Sequence, residues 1–377
     1  MRTVMITTAL SDNYGAALQT YALSQSIEKL GHSSEVYNYN DPKRISASMT
    51  FKQKIIHTVW RFFVVLFTFD AKRNRYKKFR KKYLPLTEKK ISSPSELKKN
   101  CGDYDVYIAG SDQIWNPGFF IHDTSYFLDF VPANRKKISY SSSFGKADFG
   151  KSKYYDHCCK ALSEFDSISV REKSGVNIVK NMCSKDAEWV LDPTLLLNKE
   201  EWKKVTSDKG DKGKYILCYI MPGDKNVTDA IEKLAVILQK KTGYNIIRLG
   251  TKEYEVLKYG KNGCDIKAGP DDFVDYFMNA EYVVTNSFHG TAFSINFGKK
   301  LFIPINGSLQ ANEALHERII SLLKLVNAEN AVVQTDKITD DYDFSQNELD
   351  YDIIQNKLQQ ERISSISYLE KAIGADK

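Results

Sequence analysis

Short apolar runs alternate with helix-period segments along most of this chain, and that alternation limits the folds open to it more than any other feature. The run "TVMITTA" (3–9) precedes "GAALQTYALSQSIEKLG" (15–31), in which Leu23, Ile27 and Leu30 recur at helical spacing and Gly31 supplies a stop. Further strand-like runs follow as "SSEVYNYN", "DVYIAG", "KKISYSSSF", "SISVRE" and "AEWVLDP". Strands separated by helices pair in parallel, because each crossover helix covers a face of the sheet.

A second such series begins after the polar, charged, glycine-containing segment 197–214, which reads as an interdomain connection. It comprises the strand "KYILCYIM", a helix with Val227, Ile231, Leu234 and Leu238 on one face, the strand "YNIIRLG", the helix "DDFVDYFMNA" and then "YVVTNSFHGTAFSINFGKK" (282–300). The last helical stretch, 351–373, has Ile354, Leu358, Ile363, Ile366 and Leu369 as an approximate stripe. At 377 residues the chain exceeds the length at which single cores usually stop growing. The expected organisation is therefore α/β with two Rossmann-like domains facing a cleft. The first spans 1–200 and carries a helical, basic insertion at about 45–100; the second spans 210–345; and the helix at 346–377 packs back on the first domain.

Hydrophobic residues make up 42% of the chain and charged residues 27%, an ordinary globular balance that argues against disorder. The net charge of +7 suits anionic ligands or an anionic surface and is too small for this length to require nucleic acid. Six cysteines, at 101, 158, 159, 183, 218 and 264, form no CxxC pair and no zinc spacing, so they read as reduced structural thiols, with Cys158 and Cys159 in a helix. The start "MRTVMITTALSDNYG" lacks the apolar core of a secretory signal, so a cytoplasmic location is expected. Residues 55–69 are strongly apolar but interrupted by His57 and Arg61, too short to span a bilayer, and 72–82 are densely basic. An interfacial segment over 55–82, peripheral at the inner face of the membrane, competes here with a helical cap on the first domain.

Polar residues gather at strand-to-helix junctions, where α/β proteins place their ligands. In "SDNYGAALQ", Asp12, Asn13 and Tyr14 precede a helix, with simple capping as the plain reading. In "YIAGSDQIWNPG", Ser111, Asp112 and Gln113 follow a strand, and Trp115 offers a plane for sugar stacking unless the segment is only a turn. In "SISVREKSG", Arg171 closes a strand as an anion clamp or an ion pair. In "TNSFHGT", Ser287, His289, Gly290 and Thr291 sit at a helix start, where unpaired N–H groups and the dipole favour an anion. Lys299, Lys300 and Arg318 lie downstream as further cations. No Walker loop, GxGxxG or HExxH occurs.

The ordered segments "NYGAALQTYAL", "YIAGSDQIWN", "SYSSSFG", "SVREKSGVNIVK", "WVLDPTLLL" and "VVTNSFHGTAFSINFGKK" resemble the polysaccharide pyruvyl transferase family over about the first 300 residues. The resemblance implies an architecture like that of GT-B glycosyltransferases. It also implies transfer of pyruvate from phosphoenolpyruvate to a saccharide, commonly as a ketal across two hydroxyls, in capsule or exopolysaccharide synthesis. By the same resemblance Arg171 and His289 belong to the donor site. Phosphoenolpyruvate carries a carboxylate and a phosphate, so Arg171, Arg318, Lys300 and the helix start from Ser287 through His289, Gly290 and Thr291 are the expected donor ligands. Ketal formation needs an acid and a base: His289 as acid or phosphate ligand, and Asp112 or Asp12 as base. Asp12, Asn13, Tyr14, Ser111, Gln113 and Trp115 are the expected acceptor contacts. No cofactor, metal or nucleic acid is expected; the partners are phosphoenolpyruvate and a saccharide acceptor, free or lipid-linked. A nucleotide-sugar glycosyltransferase and a non-catalytic acidic-glycan-binding module would share the fold.

Overall fold

The computed structural model describes residues 1–40, 69–118, 123–145, 154–207, 210, 212–249, 264–265, 267–308 and 316–374. The apolar run 55–69 lies outside them except for Phe69. The chain divides into one unit of Met1–Leu196 with Glu361–Lys377 and a second of Leu197–Gln360.

In the first unit, β1 (Arg2–Ile6), α1 (Tyr14–Lys29) and β2 (Ser33–Val36) are followed by α2 (Phe69–Tyr83), β3 (Val106–Ala109), β4 (Lys136–Ser139) and α3 (Tyr155–Ser163). Then come β5 (Ser169–Val170), α4 (Lys173–Cys183) and β6 (Glu188–Trp189). The strands run parallel in the order β2-β1-β3-β4, and the bridges Ile138↔Ser167 and Ser142↔Val170 carry the pattern on to β5 and its partner β6. Helix α1 is buried over most of its length, with small residues such as Ala16, Ala17 and Ala22 against its neighbours. Leu23 and Ile27 are fully buried as the spacing predicts, and Gly31 follows the helix at φ +82°. The core beyond the sheet is strongly aromatic, built from Tyr37, Tyr107, Trp115, Tyr126, Phe127, Phe144 and Phe165.

The second unit contains β7 (Tyr215–Tyr219), α5 (Lys225–Thr242), β8 (Asn245–Leu249), β9 (Cys264–Asp265), α6 (Pro270–Asn279) and β10 (Tyr282–Thr285). It continues with α7 (Phe288–Phe297), β11 (Lys300–Ile305), α8 (Glu317–Val326) and β12 (Val332–Gln334). All six strands are parallel, in the order β12-β11-β10-β7-β8-β9. Val227, Ile231, Leu234 and Leu238 form the buried face of α5, which ends at Gly243 in the left-handed conformation. The polar segment 197–214, expected to be a connection, is partly folded into this unit. Asn198 caps a short helix, and Trp202 is fully buried against Phe293 at 4.9 Å.

The closing helix α9 (Tyr351–Ile373) crosses the division at Glu361. Ile354, Leu358 and Leu369 are buried as expected, but Ile363 is 62% exposed. The buried face continues through Arg362 and Ser365 instead, positions that keep the 3.6-residue period. Arg362 Nε donates to the Leu195 carbonyl at 2.6 Å and Ser365 Oγ accepts from Leu191 N at 2.9 Å. Polar side chains take core positions there because unpaired backbone groups meet them.

In both sheets the order of strands reverses direction once. The chain moves outward from β1 to β2 and then returns to β3 and β4; likewise it moves from β7 to β8 and β9 and returns to β10, β11 and β12. Such reversals leave a crevice beyond the carboxyl ends of the two central strands. Those ends are Thr7–Thr8 and Gly110–Gln113 in the first unit, and Ile220–Met221 and Asn286–His289 in the second.

Candidate functional site

At the first reversal, Asp112 adopts φ +80°, a left-handed conformation that costs a non-glycine residue roughly 1–2 kcal/mol. Its side chain is held from both sides: Thr8 Oγ1 donates to Oδ2 at 2.7 Å and Gln113 N donates to Oδ1 at 2.8 Å. The backbone is locked as well, because Ser143 N donates to the Asp112 carbonyl at 3.0 Å and Ile114 N at 2.7 Å. The Asp112 side chain keeps 19% of its surface exposed.

Behind it lies a buried charge network. Arg171 is 3% exposed and donates through Nη1 to Asp192 Oδ2 at 3.1 Å, while Nη2 lies 3.9 Å from Asp112 Oδ1. Asp192 is also buried. It accepts from Ser111 Oγ at 3.0 Å and, on its other oxygen, from Thr194 N and Oγ1 at 2.9 and 2.7 Å. Glu172, fully buried, accepts from Phe144 N at 2.7 Å, Ser143 Oγ at 3.1 Å and Gly145 N at 3.2 Å. Trp189 Nε1 donates to the Arg171 carbonyl at 3.0 Å. The carboxyl ends of β1, β3, β4, β5 and β6 are thus tied into one polar lattice.

The second reversal has a different chemistry. Asn286 clasps the end of β7, accepting from Met221 N at 2.7 Å and donating to the Met221 carbonyl at 2.9 Å, and Thr285 Oγ1 donates to the Tyr219 carbonyl at 2.6 Å. Ser287 caps α7, its Oγ accepting from Gly290 N at 3.3 Å. A Cβ on Gly290 would stand 2.6 Å from Thr285 Oγ1, so only glycine lets the helix start so close to the strand end. All ten residues of α7 are buried, His289 at 9% exposure with its ring edge-on to Phe288. No acid lies in the first turn, so the helix presents its positive end without a built-in counter-charge.

The structure places the expected site residues unevenly. Asp112, Ser111, Gln113 and Arg171 come together in the first unit, and Ser287, His289, Gly290 and Thr291 in the second. Ser111 is fully buried and serves Asp192; Thr291 is fully buried and donates to the Ser287 carbonyl at 3.0 Å. Asn13 is the α1 cap, accepting from Ala16 N, and Asp12 pairs with Arg80 at 2.9 Å. Gln113 Oε1 accepts from Asn116 Nδ2 at 2.8 Å.

Several expectations are corrected. Trp115 does not offer a stacking plane: it is 1% exposed, lies parallel to Phe127 at 5.4 Å and donates Nε1 to the Tyr126 carbonyl. Tyr14 is equally buried, stacked on Tyr76 at 5.6 Å. Lys300 opens β11 at the amino end of the sheet and faces Glu281 at 3.4 Å, so the ten-residue helix α7, about 15 Å long, separates it from the helix start. Its neighbour Lys299 is lowered to about 8 by burial and by Lys199, again at that far end. Arg318 is half-buried in the first turn of α8, beside His316, whose pKa burial and Arg318 together lower. Thr8, Asn286 and Asp192 were not singled out from the sequence; "WVLDPTLLL" does hold Asp192 just after a strand and before proline.

The sequence profile of the polysaccharide pyruvyl transferase family matches residues 13–306. No curated protein sequence matches significantly. A Listeria monocytogenes structure designated a UDP-N-acetylglucosamine 2-epimerase is 9% identical, with TM-score 0.52 over 98% of this chain and 90% of that one. The UDP-GlcNAc 2-epimerase of Methanocaldococcus jannaschii is also 9% identical, with TM-score 0.50 over 95% and 92%. At such identities the likeness is one of fold: α/β, with two Rossmann-like parallel-sheet domains.

Proposed function

The chain belongs to the polysaccharide pyruvyl transferase family, and from that premise we propose that it moves the pyruvyl group of phosphoenolpyruvate onto saccharide hydroxyls as a ketal. The observation that carries the donor half is the start of α7: a capped helix with no acid in its first turn, His289 within it, at the strand reversal of the second unit. A small dianion suits that positive end. In this reading His289 supplies the proton taken up by the donor's methylene carbon, which makes C2 electrophilic. A sugar hydroxyl then adds to C2 and gives up its proton to a base. A second hydroxyl displaces the phosphate, its proton leaving with the phosphate oxygen, which closes the ketal and releases inorganic phosphate.

Asp112 is the proposed base. Thr8 and Gln113 orient its carboxylate, and its side chain remains partly exposed at the other reversal. Arg171 enters this scheme through Asp112 and Asp192, whose carboxylates it faces, as a positioning residue; the expected donor contact would add to that role. The acceptor in this reading is a cell-surface or capsular saccharide carried on a lipid, with the enzyme at the inner face of the membrane. The test is incubation with phosphoenolpyruvate and lipid-linked saccharides: phosphate release with a pyruvyl mass gain supports the reading, and sugar transfer from a nucleotide sugar instead overturns it.

A further inference from the structure

Helix α2 holds eight Lys and Arg residues against one Asp, so its net charge of +7 equals that of the whole 377-residue chain. The rest of the molecule is neutral on balance. The distribution on the helix is one-sided. Tyr76 and Phe79 face inward: Tyr76 stacks on Tyr14, and Phe79 meets Tyr21 edge-on at 6.4 Å. The exposed positions are Arg73, Lys77 and Lys81 on one ridge and Asn74, Lys78 and Lys82 on the next, with no acid among them. Like charges four residues apart oppose helix formation, so an external anion is the natural complement of this face.

We propose that this outer face of α2 docks on a bilayer surface rich in anionic headgroups. Four of its five cations are lysines, point charges suited to a diffuse surface potential; paired phosphate recognition favours arginine forks. Tyr76 and Phe79 are turned into the protein and Tyr83 packs on Tyr21 and Phe79, so these rings are not an open platform for stacking nucleic-acid bases. The inner edge connects the face to the candidate site. Arg80 pairs with Asp12 at 2.9 Å in the loop between β1 and α1, and the same loop carries Thr8, which donates to the Asp112 carboxylate. Docking through α2 thereby fixes the acceptor-side loop at the membrane. The docking rests on charge alone; only its value in presenting a lipid-carried acceptor to Asp112 rests on the pyruvyl-transfer reading.

The experiment is co-sedimentation of the full chain with vesicles of phosphatidylcholine alone or mixed with phosphatidylglycerol, which needs no turnover and so fails or succeeds independently of the reaction. Each cation near an anionic surface is worth about fivefold in partitioning. The variant Arg73→Gln/Lys77→Gln/Lys78→Gln/Lys81→Gln should therefore lose several-hundred-fold (about four such factors) on the anionic vesicles. Wild-type binding should also fall with added salt. Equal binding to both vesicle types, unchanged binding by the variant, or binding to DNA or an acidic polysaccharide without vesicle binding would each overturn the proposal. Arg80→Gln should keep vesicle binding yet lose the vesicle-induced slowing of amide exchange at residues 8–13 that the wild type shows. Absence of that slowing in the wild type would sever the link between surface and loop.

Discussion

The two strand reversals solve one geometric problem with opposite chemistry. In the first unit the carboxyl strand ends carry Asp112, Asp192, Glu172 and Arg171, each engaged with backbone or side-chain partners. In the second unit the corresponding ends carry an amide clasp, a capped helix start and one histidine, with no acid in the first turn. The difference teaches what each half can do. In the proposed reaction the acid-rich lattice fixes a carboxylate that serves a hydroxyl, and the capped helix start, with no acid in its first turn, offers positive potential to an anion.

Breaking the lattice should have the largest effect. Arg171→Ala leaves the buried Asp192 facing no guanidinium, a loss that typically costs about 3–5 kcal/mol, so chemical denaturation should show a markedly less stable first unit. His289→Ala, in contrast, should abolish turnover with a much smaller change in the denaturation midpoint. Equal stability losses in the two variants would erase the distinction between the reversals.

Gly290→Ala sharpens the comparison from the other side. The added methyl meets Thr285 Oγ1 at 2.6 Å, and overpacking of this kind costs about 1–3 kcal/mol. The helix start should shift, so donor affinity should fall more than the fold weakens; calorimetric titration with phosphoenolpyruvate separates the two. At Asp112 the backbone itself is informative. Asp112→Gly relieves the left-handed strain that Asp112→Ala retains, so the glycine variant should be the more stable of the two by about 1 kcal/mol, with both inactive. Activity surviving in either would remove Asp112 as the base. The smallest effect belongs to Lys300→Ala: at the amino end of β11 and paired with Glu281, it should change turnover less than twofold, and a large loss would return it to the donor site.

Much of this architecture is legible in the sequence because it rests on local periodicity. The faces of α1 and α5 follow from Leu23 and Ile27 and from Val227, Ile231, Leu234 and Leu238. What local pattern misses is set by long-range pairing. Arg362 and Ser365 occupy core positions because they meet Leu195 and Leu191, more than a hundred residues away. By sequence Trp115 reads as available because its neighbours Asn116 and Pro117 mark a turn, yet Phe127, Phe144 and Phe165 close over it. Asp192 reads as a turn residue before proline until its contacts with Ser111 and Arg171 are seen. Lys300 is near His289 in sequence but far in space because a whole helix lies between them.

The most direct test of the account is thermal protection of the wild type by phosphoenolpyruvate, with His289→Ala measured alongside. At about 100 times its dissociation constant the donor should stabilise the wild type by roughly 2.7 kcal/mol and the variant far less. Protection by a nucleoside diphosphate, with none from phosphoenolpyruvate, would contradict the account.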